Sequence, residues 1–362
     1  MGYRRITSID ALRAITLLGI LIVHTSVIFS FLNNTNHFDI SHIGYALNRI
    51  TKLVLQFRCN KIFGILFGVS FYLILRNPNY KLIKYVWRCI LLIGIGLVNK
   101  IFYTVDALMW YGMWGVVLVL FRRLSCRWLL ICFGLTFFIS SFCLNTSILQ
   151  ISSNSPPLAR YNLPTSLKSI MRYPILSAAR DYIVIVSRDP LSCLWQFLLG
   201  YYLGKSGIIE KIEQYAKFYN AIILGIGYFI FFVLSRFNLG KGIDGLVLNL
   251  SWLLGSLFYS ILFLWIYYRF FPILRYLEAY GKLSLTNYSM QGVVGVIISL
   301  LLYIPYHWPI EYIYISSLVF FLFQLIFSNV WLQYFTNGPL EWIWRCLTNL
   351  KYVSPLKRYD IK

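Results

Sequence analysis

The sequence predicts an all-α polytopic membrane protein with about ten transmembrane helices and both termini in the cytoplasm. Hydrophobic residues make up 59% of the chain against 12% charged residues, and mean hydropathy is +0.68. A soluble domain cannot bury so much apolar surface, whereas a bilayer accepts it on every helix face.

Ten apolar runs predict the membrane segments. The runs at 62–75 and 191–204 are short for a bilayer, which predicts tilted extensions of longer helices or partly re-entrant segments. In order, the predicted segments are 11–31, 62–75, 86–103, 107–121, 128–144, 191–204, 218–235, 246–268, 283–303 and 312–332.

The basic residues predict the orientation. With the N-terminus inside, most of the 33 Lys and Arg residues fall on the cytoplasmic side. The net charge of +21 is therefore typical of membrane topology and anionic-lipid contact, and no basic soluble domain is present to bind nucleic acid.

We expect one integral-membrane domain over 1–362, with three segments outside the spans. Segments 33–61 and 154–189 are amphipathic and predicted to lie on the outer side. There they either cover a cavity or lie along the lipid headgroups. Gly338 and Pro339 end the last span, so 338–362 is predicted to be a cytoplasmic interfacial tail. In that tail, Glu341 and Arg345 have the spacing of an i, i+4 pair.

The first span carries the most informative polar residues. His24 follows Arg13 by eleven positions, which brings both to nearly the same helix face, about 16 Å apart along the axis. Asp10 can pair with Arg13. One interpretation is a face that lines a cavity; the other is a headgroup anchor with a packed histidine.

Two further polar groups are candidate site residues. Asn99 and Asp106 are seven residues apart at the end of the third span, where Asp106 can orient His24, pair with Lys100 or act as an anchor. Asn287, Tyr288 and Gln291 share one turn of the ninth segment and can bind an acceptor or hold neighbouring helices together.

Other motifs favour structural roles. Gly64 and Gly68 form a GxxxG motif, which is typical of close helix packing. No disulfide framework and no metal site is predicted, because the cysteines are scattered and the histidines lack metal-ligand spacing. The cysteines are Cys59, Cys89, Cys126, Cys132, Cys143, Cys193 and Cys346, and the histidines are His24, His37, His42 and His307.

Several motifs together resemble the YeiB-type family of bacterial membrane proteins. In order they are RITSIDALRAITLLGILIVH, KIFGILFGVSF, RCILLIGIGLVNKIFYTVDALMWYGMWG, FRRLS, FLLGYYLGKSGI, GKLSLTNYSMQ and NGPLEWIWR. The resemblance covers nearly the whole chain and implies a location in the bacterial cytoplasmic (inner) membrane. That family has no firmly assigned reaction, but it resembles the transmembrane acyltransferases that modify cell-surface glycans.

The chain departs from the YeiB-type pattern at two positions. Asn is usual in the family where this chain has His24, and His is usual where it has Asn99. An Arg and a His with ten residues between them is instead similar to glycan O-acyltransferases of the large acyltransferase-three family. The exchange indicates either that the two positions share a site or that the site has drifted.

The resemblance favours acyl transfer from a cytoplasmic acyl-coenzyme A to a cell-envelope glycan or small-molecule acceptor. His24 suits a general base, and Arg13 suits the phosphates of coenzyme A. Acyl-coenzyme A would be a co-substrate, with no permanently bound cofactor. The alternatives are a transporter or flippase, which also needs buried polar residues, and a non-catalytic membrane scaffold.

The topology can be tested with reporter fusions. A reporter fused after Leu144 is expected outside, and one fused after Arg123 in the cytoplasm, because the basic loop 122–127 lies on the inner side in this topology. Alkaline phosphatase and green fluorescent protein fusions measure the two locations. The reverse result would overturn the predicted orientation of every loop.

Overall fold

A computed structural model describes residues 6–36, 42–102, 106–154, 191–240, 242–298 and 310–356. Within these ranges the chain forms thirteen helices of seven or more residues and no strand. Residues 155–189 of the predicted outer segment lie outside the described residues, as do His37, His307, residues 299–303 of the ninth predicted span and residues 357–362 of the predicted tail.

The thirteen helices of the described ranges are numbered in chain order. In chain order they are α1 (Thr7–Asn36), α2 (His42–Val54), α3 (Arg58–Leu75), α4 (Leu82–Phe102), α5 (Leu108–Leu118), α6 (Cys126–Asn154), α7 (Ser192–Lys205), α8 (Phe218–Leu234), α9 (Ile243–Arg269), α10 (Tyr276–Lys282), α11 (Ser284–Ile298), α12 (Ile310–Tyr334) and α13 (Pro339–Asn349).

The all-helical class is confirmed, whereas the ten-span, N-in/C-in topology is not. Every predicted segment overlaps a helix, but in the described ranges only six helical runs are long and apolar enough to cross a bilayer, or up to seven if the pair Ile209–Tyr215 and Phe218–Leu234, bent by 92°, counts as one span. Two of the segments that do not pass are short helices, and the described part of a third, α11, ends at Ile298. At 1.5 Å per residue, α5 and α7 reach about 17 and 21 Å, short of a hydrocarbon core of about 30 Å.

Exposed apolar side chains indicate several membrane-facing helices. Helix α8 presents Ile223, Ile226 and Phe229 at its surface, each more than half exposed. Helices α6 and α12 do the same with Leu135 and Ile326. Such surfaces are costly in water and ordinary in lipid, so together with the apolar spans they indicate a multi-pass membrane protein.

The chain divides into two compact units. Unit 1 comprises Met1–Gln56 and Arg269–Lys362, and unit 2 comprises Phe57–Tyr268. Unit 1 therefore holds α1, α2 and α10 to α13, while α3 to α9 form unit 2.

Helix α1 is the centre of unit 1 and contacts α2, α10, α11 and α12. Its closest approach is to α10 at Gly281, where a Cβ atom would lie only 1.8 Å from the carbonyl oxygen of Asp10. Farther along, the hydroxyls of Thr25 and Ser317 lie 2.5 Å apart and join α1 to α12. Glycine at 281 is therefore needed for the backbones of α1 and α10 to meet.

Glycines also set the packing of α3 against α7 in unit 2. A Cβ atom at Gly68 would lie 2.1 Å from the carbonyl oxygen of Phe197, and one at Gly200 would lie 1.9 Å from that of Ile65. The predicted packing role of the Gly64 and Gly68 motif is confirmed. The reciprocal pair on α7, Gly200 and Gly204, has the same spacing.

The segment predicted at 33–61 contains the end of α1, all of α2 and the start of α3. Helix α2 exposes Ile43, Tyr45 and Ile50, as an interfacial helix would. Arg58 and Lys61, in contrast, belong to the first turn of α3 and are buried inside unit 2.

The α3–α7 packing can be tested with two glycine substitutions. Gly200→Ala is expected to destabilise the protein, because its Cβ would meet backbone atoms that cannot move away without separating the helices. Gly134→Ala on α6 is the matched control: no atom lies within 4 Å of its Cβ, and alanine favours a helix by about 0.5–1 kcal/mol. Thermal unfolding in detergent measures both. Equal midpoints for the two variants would contradict the packing.

Candidate functional site

The N-terminal end of α1 carries an ion pair. Arg13 Nη1 donates to Asp10 Oδ1 at 2.8 Å; the Asp10 side chain is buried, while 19% of the Arg13 side chain is exposed. Asp10 also lies in the first turn of α1, where the helix dipole favours a carboxylate. The structure thus shows the pair that the sequence predicts, with its cation at the edge of the protein interior.

Near the middle of α1, His24 meets α11. The ring centroids of His24 and Tyr288 lie 6.0 Å apart, with the planes at 68°, an edge-to-face arrangement. Between Arg13 and His24 the same side of α1 carries Leu17 and Leu21, which are both buried in unit 1. The face that joins Arg13 to His24 is therefore turned towards protein and not towards lipid.

A buried hydrogen-bond network surrounds this part of α11. Gln291 Nε2 donates to Tyr280 Oη at 2.9 Å, and that hydroxyl donates to Gln324 Oε1 at 3.0 Å. Gln324 Nε2 in turn donates to the carbonyl oxygen of Asn287, and Asn287 Nδ2 donates to Ser328 Oγ at 3.1 Å. The network joins α10, α11 and α12 through side chains that would be costly in an apolar interior without partners.

Two acceptor atoms in the network remain open. Asn287 Oδ1 and Gln291 Oε1 are buried and have no hydrogen-bond partner among the residues that the structure describes. The two amides are one helical turn apart and belong to side chains that are at most 2% exposed. A buried carbonyl oxygen without a donor is uncommon in a folded protein, so this pair can accept hydrogen bonds from a hydroxyl-bearing molecule.

The N-terminus of α11 is held by a carboxylate from α13. Glu341 Oε1 accepts the backbone N–H groups of Leu285 and Thr286 at 2.7 and 3.1 Å, and Oε2 accepts the Thr286 hydroxyl. The Thr286 hydroxyl oxygen accepts the backbone N–H of Leu340 at 3.0 Å, so each helix caps the other. A Cβ atom at Gly338 would lie 2.3 Å from Glu341 Oε2, which explains the glycine before Pro339.

This cap replaces the predicted pair between Glu341 and Arg345. Both carboxylate oxygens of Glu341 point to the start of α11, while Arg345 is exposed. The unsatisfied N–H groups at a helix N-terminus are stronger partners for a part-buried carboxylate than an exposed side chain one turn away. Burial also raises the pKa of Glu341 above its ordinary value, although the hydrogen bonds from Thr286 oppose this.

Asn99 and Asp106 belong to unit 2. Asp106 Oδ2 accepts the backbone N–H of Leu108 at 3.0 Å at the start of α5, and Asn99 Nδ2 approaches Asp106 Oδ1 at 3.5 Å. The two predicted partners are therefore adjacent, and Asp106 provides an acceptor for the first N–H group of α5. A role for either residue beside His24, which is in unit 1, stays a prediction.

Sequence reasoning missed the contribution of α12. Gln324 and Ser328 complete the network, and their i, i+4 spacing in an otherwise apolar helix was the available signal. It also missed the two buried cations of unit 2, Arg58 and Lys61. In the described part of the chain, no group of three or more His, Cys, Asp or Glu side chains is placed to hold a metal ion.

Comparison with known proteins supports the resemblance to the YeiB-type family. Residues 203–351 match the family described as Protein of unknown function (DUF418). The chain is 25% identical to Uncharacterized protein YxaH of Bacillus subtilis (strain 168), covering 99% of this chain and 97% of that protein. It is 31% identical to Uncharacterized protein YeiB of Escherichia coli (strain K12) over 26% of this chain and 23% of that protein.

A further relative is an Uncharacterized 39.9 kDa protein in the amylase 3' region of Bacillus acidopullulyticus, 26% identical over 98% of this chain and 97% of that protein. No solved structure matches the chain. The predicted resemblance to the YeiB-type family is thus confirmed, and the matched family region contains both Glu341 and the α11 residues that it caps. The resemblance to acyltransferases is not confirmed by these matches.

The cap can be tested at Glu341. Glu341→Ala is expected to lower stability by about 1–3 kcal/mol, since the N–H groups of Leu285 and Thr286 lose their acceptor, and Glu341→Gln by less, since one acceptor oxygen remains. Thermal unfolding in detergent measures both, with Glu213→Gln, an exposed glutamate of unit 2, as the control.

The pH dependence of the same variants tests the effect of burial. A carboxyl whose pKa is raised on folding contributes its full stability below its ordinary pKa and loses it as pH rises through the folded value. The stability advantage of the native protein over Glu341→Gln should therefore shrink as pH increases from 5 to 8. An advantage that grows over this range would show that hydrogen bonding outweighs burial.

Proposed function

We propose that this protein is an integral-membrane O-acyltransferase of the bacterial cytoplasmic membrane, with its site in unit 1. The observation that carries the proposal is the geometry of α1. One helix holds an edge-exposed guanidinium at Arg13 and, about 16 Å farther along, an imidazole at His24 against the ring of Tyr288. That separation is comparable to the length of an extended pantetheine arm.

In the proposed reaction, His24 is the general base. The acceptor hydroxyl oxygen attacks the thioester carbonyl carbon as His24 takes the hydroxyl proton. The carbon–sulfur bond then breaks, the acyl group stays on the acceptor oxygen, and the proton passes from His24 to the coenzyme A thiolate. Tyr288, whose ring lies edge-to-face with the imidazole, is the proposed O–H donor to the developing oxyanion.

Arg13 is the proposed contact for the donor. A guanidinium has five N–H donors in a planar fork that suits phosphate oxygens. The contact with Asp10 goes through Nη1, and it fixes the guanidinium in place on α1. With the N-terminus in the cytoplasm, Arg13 would meet the phosphates of a cytoplasmic acyl-coenzyme A.

The open amide oxygens favour an acceptor with several hydroxyl groups. Asn287 Oδ1 and Gln291 Oε1 are acceptors one turn apart on the helix that carries Tyr288. They match hydroxyl donors on one molecule, as in an envelope glycan, better than a single alcohol group. The rest of the network holds both amides in position: Gln291 Nε2 donates to the Tyr280 hydroxyl, and Asn287 Nδ2 donates to the Tyr280 carbonyl oxygen and to Ser328 Oγ.

The proposal predicts different effects for His24 and Arg13. His24→Ala should lower acyl transfer by about 10²–10⁴-fold while donor binding persists, because a base is needed only as the hydroxyl attacks. Arg13→Ala should weaken donor binding by about 10–100-fold, and Arg13→Lys should recover part of it, since the charge returns without the fork. Labelled acetyl-coenzyme A in native membranes measures both, with transfer to the envelope glycan fraction as the readout.

Controls separate catalysis from folding. His42→Ala removes an exposed histidine of α2 and should leave transfer unchanged. Asp10→Asn combined with Arg13→Ala removes both charges of the pair, so that no unpaired carboxylate remains buried. Native transfer by a well-inserted His24→Ala protein would reject His24 as the base. If the native protein transfers no acyl group to the glycan fraction but takes up a solute, the result would favour the alternative function of a transporter.

A further inference from the structure

Helix α13 begins close to the end of a membrane span. The apolar run Tyr314–Tyr334 of α12 is one of those long enough to cross a bilayer, and Pro339 begins α13 five positions later. Five positions extend over at most about 18 Å, so the start of α13 lies no farther than that from the end of the run. This places α13 near the level of the lipid headgroups.

The chain after α13 returns to the same end of α12. The backbone N–H of Thr336, just beyond α12, donates to the carbonyl oxygen of Pro355 at 2.8 Å. Trp342 Nε1 on α13 donates to the carbonyl oxygen of Val353 at 2.6 Å. Residues 339–356 are therefore one folded element attached to the end of α12, which we call the C-terminal element.

Two opposite sides of α13 differ in their surroundings. Glu341 points to the start of α11, where it accepts two backbone N–H groups. Ile343, Leu347 and Leu350 lie about 120–180° around the helix from that carboxylate, and they are 43%, 46% and 79% exposed. An exposed apolar side is costly in water and is typical of a helix that lies in the boundary between headgroups and acyl chains.

The exposed charges of the C-terminal element are basic. Arg345 and Lys351 are exposed, whereas Glu341, the one acidic residue between 338 and 356, is directed to α11. Anionic lipids attract such basic residues, by about fivefold in affinity for each Lys or Arg at the surface. In a symmetric dimer the same surface would face its own copy, with basic residues opposed. The charges therefore favour anionic lipid over a second copy of the chain.

We propose that the C-terminal element binds an anionic phospholipid leaflet at the end of α12. Ile343, Leu347 and Leu350 enter the boundary between headgroups and acyl chains, and Arg345 and Lys351 contact lipid phosphates. The opposite side of α13 holds the start of α11, so the bound leaflet and the helix cap position α13 together. The surface contains none of the residues assigned to acyl transfer, so it does not depend on that proposal.

Photo-crosslinking tests the insertion of α13. The full-length protein carries the substitution Ile343→p-benzoylphenylalanine and is placed in nanodiscs with equal amounts of phosphatidylcholine and phosphatidylglycerol. The matched control has the same photoreactive residue in place of Arg345, which lies two positions on and about 160° around the helix. Mass spectrometry after irradiation measures the lipid adducts. We expect about fivefold more lipid adduct from position 343, because only that side of α13 reaches the acyl chains.

The composition of the adducts tests the choice of an anionic lipid. Adducts at position 343 should contain phosphatidylglycerol about fivefold more often than phosphatidylcholine. Adding Arg345→Gln and Lys351→Gln to the photoreactive protein should bring this ratio close to one, because the local positive charge is lost. The control adds Arg123→Gln and Lys211→Gln, two exposed basic residues of unit 2, and should keep the ratio of the photoreactive protein.

Three results would overturn the proposal. Equal lipid adducts at positions 343 and 345 would show that α13 has no lipid-facing side. A crosslink between two copies of the chain at position 343 would identify the surface as a protein interface. Equal adducts of the two lipids would reject an anionic partner. Should the Ile343 variant fail to insert into membranes, Leu347→p-benzoylphenylalanine takes its place with the same expected results, since Leu347 lies on the same side of α13.

Discussion

The carboxylate of Glu341 at the N-terminus of α11 is the interaction on which the arrangement of unit 1 depends. It accepts the N–H groups of Leu285 and Thr286, and the Thr286 hydroxyl oxygen accepts the N–H of Leu340 at the start of α13. A helix end without partners is costly in a poorly hydrated place, so this reciprocal cap fixes where α11 begins. The direction of every α11 side chain follows from that starting point, including those of Tyr288 and Gln291.

Polar side chains inside apolar helices determine the packing of unit 1 beyond the cap. An amide in the interior lowers its free energy only if its donors and acceptors meet partners, and the network through Tyr280, Asn287 and Gln324 provides them. Such a network tolerates few alternative registers between α10, α11 and α12, because a shift of one residue would leave several groups unpaired. The same constraint makes the open oxygens of Asn287 and Gln291 informative, since they are exceptions within an otherwise satisfied set.

Unit 2 is organised by a different constraint, the absence of side chains at glycine. Gly68 and Gly200 allow the backbones of α3 and α7 to touch. This close contact is stabilised by dispersion forces, and lipid tails would not pack as closely against either helix. This close packing brings the first turn of α3 next to the start of α7. The buried ammonium of Lys61 then lies over the Trp195 ring, where a long charged side chain would otherwise extend to the membrane surface.

The sequence by itself determined the all-helical membrane class, the Asp10 and Arg13 pair and the packing role of Gly64 and Gly68, because each depends on composition or on spacing within one helix. It did not determine the number of spans, because helix length and not apolar content decides whether a run crosses a bilayer.

Contacts between segments far apart in the chain were decided only by the tertiary structure. These contacts are the cap from Glu341 to α11, the completion of the network by Gln324 and the burial of Lys61. Local spacing favoured Arg345 as the partner of Glu341 and an outer loop for Lys61. The actual partner of Glu341 is a helix end, and the actual surroundings of Lys61 are aromatic rings. Both come from segments far away in the chain, so no local sequence pattern predicts them.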